Sequence, residues 1–206
     1  MSEPRIPPRP VADWDAAVKD ALSVLRPPKN ASSALGEQPA KQDKPQGPRH
    51  VPNILGVFTW HPDLAKAFLT FNNHLFASTL TARDRELATV RVGWLRRGEY
   101  EWSQHVAMAR AAGVSDAEIE AASEGPDAKS WSQRDATLLR AVDELVNDRY
   151  VADETWKQLT DFYDRQQVMD LVFTVGAYDL LAMAMNTFGL QLDPGQAGFP
   201  SSEATE

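Results

Sequence analysis

The chain of 206 residues contains no cysteine. Disulfides, thiolate metal sites, thiol nucleophiles and dithiol redox chemistry are therefore excluded within it. Histidine is scarce: only His50, His61, His74 and His105 occur, no two at helical metal-ligand spacing, so no metal site is expected. Basic charge is also short. The 21 Lys and Arg stand against 29 Asp and Glu, a net charge of −8. Clusters such as Arg96-Arg97 are too small to offset it, so neither a nucleic acid nor an anionic membrane is an expected partner. The most apolar stretch, Val168–Leu192, is interrupted by Asp170, Asp179 and Asn186, and no membrane span is expected there. The segment "MSEPRIPPRP" lacks the apolar core of a secretory signal, and a cytoplasmic location is expected. Sustained period-two alternation is missing too, which leaves an all-α reading.

What is present is helical punctuation. Nine of the 14 prolines fall in residues 1–50, and residues 27–50 have almost no large apolar side chain, as in an irregular arm or linker. Ahead of them, Trp14, Val18, Leu22 and Leu25 form one helical stripe that needs a surface to dock on. A helix is expected after Pro62, with Leu64, Phe68, Phe71 and Leu75 on one side. Thr81 suits the N-cap of a helix over 82–96, and another runs over 100–112 to Gly113. "SDAE" at 115–118 is a capping box. Ser132 can cap 133–147, Asp153 can cap 154–164, and a long helix over 166–188 is expected to end before "DPG" at 193–195. The expected division is an arm over 1–50 with one short helix, a helical domain over 51–195 and a disordered tail over 196–206.

Three polar residues stand out on these helices. Glu101 and His105 are four apart and share a helix face, beside the apolar stripe of Trp102, Val106 and Ala109. Glu86 lines up with Val90 and Trp94 on the core side of the preceding helix, where Arg91 is a candidate partner. Spacing alone leaves the plain explanation standing: a Glu–His pair at i,i+4 is commonly a surface pair worth a few tenths of a kcal/mol. A buried Glu86 is harder to set aside, since an unpaired buried charge costs about several kcal/mol.

The segment "RELATVRVGWLRRGEYEWSQHVAMARAAGVSDAEIEA", residues 85–121, resembles the carboxymuconolactone decarboxylase family. So do residues 61–77, 138–156 and 171–192, a resemblance that spans roughly residues 50–195. This family shares its fold with the alkylhydroperoxidase D-like proteins. In the peroxidase branch the motif is a glutamate, a CxxC pair, and a histidine four positions after the second cysteine. On that pattern His105 matches the histidine, and Glu86, nineteen positions earlier, the glutamate. Gly98 and Glu101 occupy the cysteine positions. The resemblance is to a cysteine-free, decarboxylase-type branch, and cysteine-based alkylhydroperoxidase activity has lost its nucleophile.

The resemblance implies a bundle of about six to eight helices that assembles as a homo-oligomer, a trimer or hexamer. It also implies a carbon–carbon lyase that needs no cofactor and acts on a small carboxylated lactone or related aromatic-catabolism acid. In that reaction His105 is the general acid/base, suited by an imidazole's free pKa of about 6.5. Glu101 or Glu86 is its partner or a second proton shuttle. Tyr100 and Tyr178 are candidate donors to a developing enolate oxygen. Arg91 and Arg110 are candidate cations for a carboxylated substrate. Another acid–base enzyme on the same scaffold, such as an isomerase or cyclase, remains open, as does a non-catalytic helical binding protein.

Overall fold

The computed structural model describes residues 3–25 and 50–200. The described residues hold nine α-helices and no strand, as the all-α reading expects. They are α1 (Ala16–Leu22), α2 (Asn53–Phe58), α3 (Pro62–Phe76), α4 (Ala82–Leu95) and α5 (Glu99–Ala111), then α6 (Asp116–Glu124), α7 (Gln133–Asp148), α8 (Asp153–Phe162) and α9 (Arg165–Phe188). The count exceeds the expected six to eight because α1 and α2 are short helices of 7 and 6 residues. The expected linker lies outside the described residues except for His50. The chain divides into two compact units, Ile6–Ala77 and Met1–Arg5 with Ser78–Glu206.

In the first unit the predicted amphipathic segment docks on α3 as α1. Asp15 caps it by accepting the Val18 N–H at 2.9 Å. Ala21, Ala65 and Leu69 form the cluster between them, with Leu22, Val24, Leu25, Leu55 and Phe58 packed around it. The face of α3 is therefore rotated from the expected one. Leu64 is exposed, and small Ala65, one position on, is buried where α1 crosses.

The second unit is organised around α4, whose residues from Asp84 to Gly93 are all buried. It packs against α5, α6, α7 and α9. A Cβ on Gly93 would stand 3.3 Å from the backbone nitrogen of Trp102, so α4 and α5 approach backbone to backbone. Thr81 and Ser132 cap α4 and α7 as expected, each accepting at 3.1 Å from an Asp N–H three residues on. Ser115 and Glu118 complete the capping box of α6. At α8 the cap is Ala152 rather than Asp153. Glu144 of α7 takes the Ala152 N–H and the Thr155 hydroxyl there, leaving Asp153 to the first turn, where its charge meets the helix dipole.

By length and composition α9 is apolar enough to cross a bilayer. One of its faces, including Leu171, Thr174, Tyr178 and Ala182, is nonetheless buried in the bundle. It runs to Phe188, the end expected, with Gly189 as its C-cap. Gly189 adopts a left-handed φ of 70°, and the Leu190 N–H closes on the Met185 carbonyl at 3.0 Å. The strap that follows folds back onto α5. Asp193 Oδ2 accepts from Tyr100 Oη at 2.8 Å and from Gln104 Nε2 at 2.7 Å. Residues 201–206 lie outside the described residues. Within 196–200, Phe199 packs against Trp94 and Trp102 with centroids 5.4 Å away in each case. An aromatic face buried that way holds part of the expected tail against the bundle.

Gly93→Val tests the backbone approach of α4 and α5. The added side chain should destabilise the fold by about 1–3 kcal/mol, the usual cost of overpacking. A thermal melt should read it as a drop of several degrees, and an unchanged melt would mean that the two helices have slack.

Candidate functional site

Glu86 and His105 meet across the α4–α5 packing. His105 Nδ1 and Glu86 Oε2 are 2.7 Å apart, and the two residues are 6% and 2% exposed. The other carboxylate oxygen, Oε1, accepts from Arg85 Nε at 3.1 Å and Nη2 at 3.0 Å. Burial pushes the Glu86 carboxyl up, but the hydrogen bond and charge of His105, together with Arg85, outweigh it and hold Glu86 below the usual carboxylate value. Glu86 is thus a buried anion with both oxygens engaged. The bond to Nδ1 also fixes which ring nitrogen is left to face a ligand. Tyr178 of α9 lies edge-to-face on the His105 ring, with centroids 4.6 Å apart at 78°. Burial, then Glu86 and Glu101, raise its pKa, so the phenol stays neutral.

Glu101 sits differently from the i,i+4 expectation. It makes no bond to His105, and neither of its oxygens has a hydrogen-bond partner among the described residues. Its Oε2 lies 3.1 Å from where a Cβ on Gly98 would be, and that point is 3.4 Å from Ala182 Cβ. The residue is 2% exposed. Burial first, then the charge of Asp179, raise its pKa well above the usual carboxylate value. Two carboxylates one helix apart are therefore pushed in opposite directions, one towards the anion and one towards the neutral acid.

The remaining candidates are dispersed. Tyr100 donates its hydroxyl to buried Asp193. Arg91 does not reach Glu86: it holds Asp143 at 2.7 and 2.8 Å and the carbonyls of Ala122 and Ser123 at 2.9 Å. Five residues along a helix are about 140° around it, which sends Arg91 to α6 and α7. Arg110 is paired with Asp116 on the surface. The cation beside Glu86 is Arg85, which the helical arithmetic overlooked because neighbours in sequence point about 100° apart. The "RE" pair at 85–86 was its one visible signal. Among the described residues no group of three or more His, Asp or Glu is placed to hold a metal.

This combination of helices and site defines an alkylhydroperoxidase D-like fold, shared with solved structures of low sequence identity. A peroxidase-related protein from Ralstonia eutropha JMP134, described as an alkylhydroperoxidase AhpD core, superposes with a TM-score of 0.69 at 16% identity, covering 94% of this chain and 95% of that one. The debrominase Bmp8 superposes with a TM-score of 0.65 at 15% identity, covering 92% of each chain. A peroxidase-related protein from Silicibacter sp. TM1040 gives 0.64 at 16%, covering 70% of this chain and 78% of that one. In sequence, the model of the carboxymuconolactone decarboxylase family matches residues 62–144, the segment that carries Glu86, Glu101 and His105. A comparison with curated proteins finds no match.

The Glu101 environment predicts a pH dependence of stability. Its folded-state pKa is raised, so the protonated carboxyl contributes stability below the unfolded value of about 4.3, and this is lost as pH rises above it. Glu101→Gln keeps the shape and stays neutral. It should melt like the parent near about pH 4 and above it near about pH 8, a difference that thermal melts across that range will read. Parallel profiles for the two proteins would mean that Glu101 is ionised when folded.

Proposed function

We propose that this protein is an acid–base enzyme that works without a cofactor and transfers a proton at a carbon next to a carbonyl group, with carbon–carbon lysis of a small carboxylated lactone or related aromatic-catabolism acid as its reaction. The observation that carries this reading is the 2.7 Å contact of His105 with ionised Glu86, beside a buried Glu101 whose oxygens are unbonded. In the lysis, the bond between the carboxylate carbon and the ring breaks and carbon dioxide leaves. The electron pair of that bond passes to the carbonyl oxygen as an enolate, and protonated His105 then donates a proton to carbon and is reprotonated from solvent. Glu86 orients the imidazole and balances its charge. The neutral Glu101 hydroxyl donates to the enolate oxygen, the role expected of Tyr100 and Tyr178. The cytoplasm is the compartment this reading assigns.

A second reading is proton transfer without loss of carbon dioxide, as in an isomerase. The engagement of Arg91 with Asp143 and of Arg110 with Asp116 favours it, because neither guanidinium is free for a dianion. Carboxylated γ-lactones assayed together for carbon dioxide release and for deuterium uptake from solvent separate the two. His105→Ala should lose about 10²–10⁴-fold in kcat, the range of general acid–base groups. Glu86→Gln should lower kcat as well and also destabilise, because it removes the buried anion between Arg85 and His105. Unchanged turnover in His105→Ala would return the pair to a structural role.

A homo-oligomer, trimer or hexamer, is part of the same proposal. Met169, Val172, Gly176, Leu180 and Met183 form an outward stripe on α9 with no charge of either sign. It extends over about 21 Å at the helical rise of about 1.5 Å per residue. Only another uncharged surface matches it, and a second copy of the chain supplies one. Light scattering should give a multiple of the 22.8 kDa chain mass. Leu180→Asp should reduce it, and a monomer at micromolar concentration would overturn the assembly.

A further inference from the structure

The outward stripe of α9 has an order of its own. Counted from Gly176, its members stand at −7, −4, 0, +4 and +7: Met169, Val172, Gly176, Leu180 and Met183. At about 100° per residue, all five fall within about 40° of the direction of Gly176. All are exposed, the four side chains at 55%, 38%, 51% and 57% in chain order. The stripe therefore reads the same from either end, with methionine outermost, a branched aliphatic side chain inside it and none at the centre. Gln166 and Asn186, at −10 and +10, extend the match with exposed carboxamides. Elsewhere in the same unit exposed apolar side chains stand beside charges: Tyr150 follows Arg149, and Trp156 precedes Lys157.

The central glycine is the second observation. A glycine inside a helix lowers its stability relative to alanine, so its presence there asks for a reason. Gly176 lies in the middle of α9 with an ordinary helical backbone, and no left-handed turn requires it. Nor does packing among the described residues: a Cβ at Gly176 would meet nothing within 4 Å, whereas one at Gly93 would stand 3.3 Å from a neighbouring helix. The missing side chain thus serves a surface that approaches α9 from outside, where it lets two backbones come close.

We propose that two copies of the chain cross here antiparallel, α9 on α9, with Gly176 on the two-fold axis between them. A two-fold contact presents the same patch twice, so it needs a surface that matches itself. In an antiparallel pair centred on Gly176 the height along the helix is reversed. Met183 then comes level with Met169 of the partner subunit, and Leu180 with Val172 of the partner subunit. Charge selects the same direction. Arg165, exposed on this face at −11, would meet its own copy in a parallel pair, but in the antiparallel pair it comes level with uncharged Thr187 of the partner subunit. The proposal rests on the reading of the stripe as an assembly surface and adds its symmetry. A trimer has no two-fold axis, so an assembly that uses this contact has an even number of subunits, as a hexamer does. The contact also backs the site: Tyr178, which lies edge-to-face on His105, is on the opposite side of the same turn as Gly176.

Because the chain has no cysteine, introduced thiols report the contact without competition. Full-length variants are treated with diamide, separated on a denaturing non-reducing gel, and measured by light scattering before oxidation. Gly176→Cys should become a covalent dimer. Met169→Cys and Met183→Cys alone should cross-link about tenfold less, since each lies about 21 Å from its own copy, and a disulfide spans Cα atoms less than about 7 Å apart. The double variant Met169→Cys/Met183→Cys should cross-link as well as Gly176→Cys, and Thr160→Cys, on the exposed side of α8, as poorly as the single methionine variants. Gly176→Leu should lower the mass by light scattering and leave the helical circular dichroism intact, because the new side chain points into open space. Self-cross-linking of Met169→Cys or Thr160→Cys at the level of Gly176→Cys would overturn the antiparallel contact. A trimer, or an oligomer in which neither Gly176→Cys nor the double variant cross-links, would overturn the two-fold and leave assembly standing. A monomer, whether its stripe stays bare or binds phosphatidylcholine vesicles, would overturn both.

Discussion

A helix buried on every side can carry ionised groups only if its neighbours answer each of them. α4 carries Asp84, Arg85, Glu86 and Arg91, all buried. The cost of leaving any one of them unpaired is several kcal/mol, a large part of an ordinary domain's net stability. Arg134 of α7 meets Asp84 with two bonds, at 2.8 and 2.6 Å, and Asp143 of the same helix meets Arg91. The carbonyls at the end of α6 share Arg91, and His105 of α5 answers Glu86. The arrangement of α5, α6 and α7 around α4 is therefore specified by charge as well as by apolar packing. A sequence that placed these helices in another order would strand at least one ion.

That requirement also explains which parts of the molecule were legible in the sequence. Caps are local, and Thr81, Ser115 and Ser132 announced their helices within a residue or two because donor and acceptor sit three positions apart. The pairing of Glu86 with His105 was not local. Helix periodicity put both on apolar faces but could not say that they meet, and only the nineteen-residue spacing of the family motif joined them. The partners of Arg91 are hidden for the same reason: Asp143 lies 52 positions away on another helix. Periodicity likewise paired Glu101 with His105, because i,i+4 neighbours share a face, yet side-chain direction sent the carboxyl towards Gly98 instead. At α9 the end expected at residue 188 is the end observed, with the left-handed Gly189 as its cap.

The site that results separates two chemically identical groups by environment alone. Glu86 is surrounded by donors and Glu101 by none, so the first carboxyl is held below the usual carboxylate range and the second is pushed above it. Gly98 and Glu101 stand where the peroxidase motif has its thiols, and the chain has no cysteine. A fold of this kind hosts different chemistries by changing what fills those two positions while the helices that position them stay the same.

The strap after α9 has a consequence for how the chain matures. Asp193 and Phe199 complete the surroundings of Tyr100, Gln104, Trp94 and Trp102, yet they are synthesised only after all of the described helices. A nascent chain can assemble α4 and α5 early, but this flank of the bundle stays open until the strap has been made. Premature termination around residue 190 would thus release a product with most of its helices and an unfinished flank, its tryptophans bare to solvent and to the surfaces of other chains.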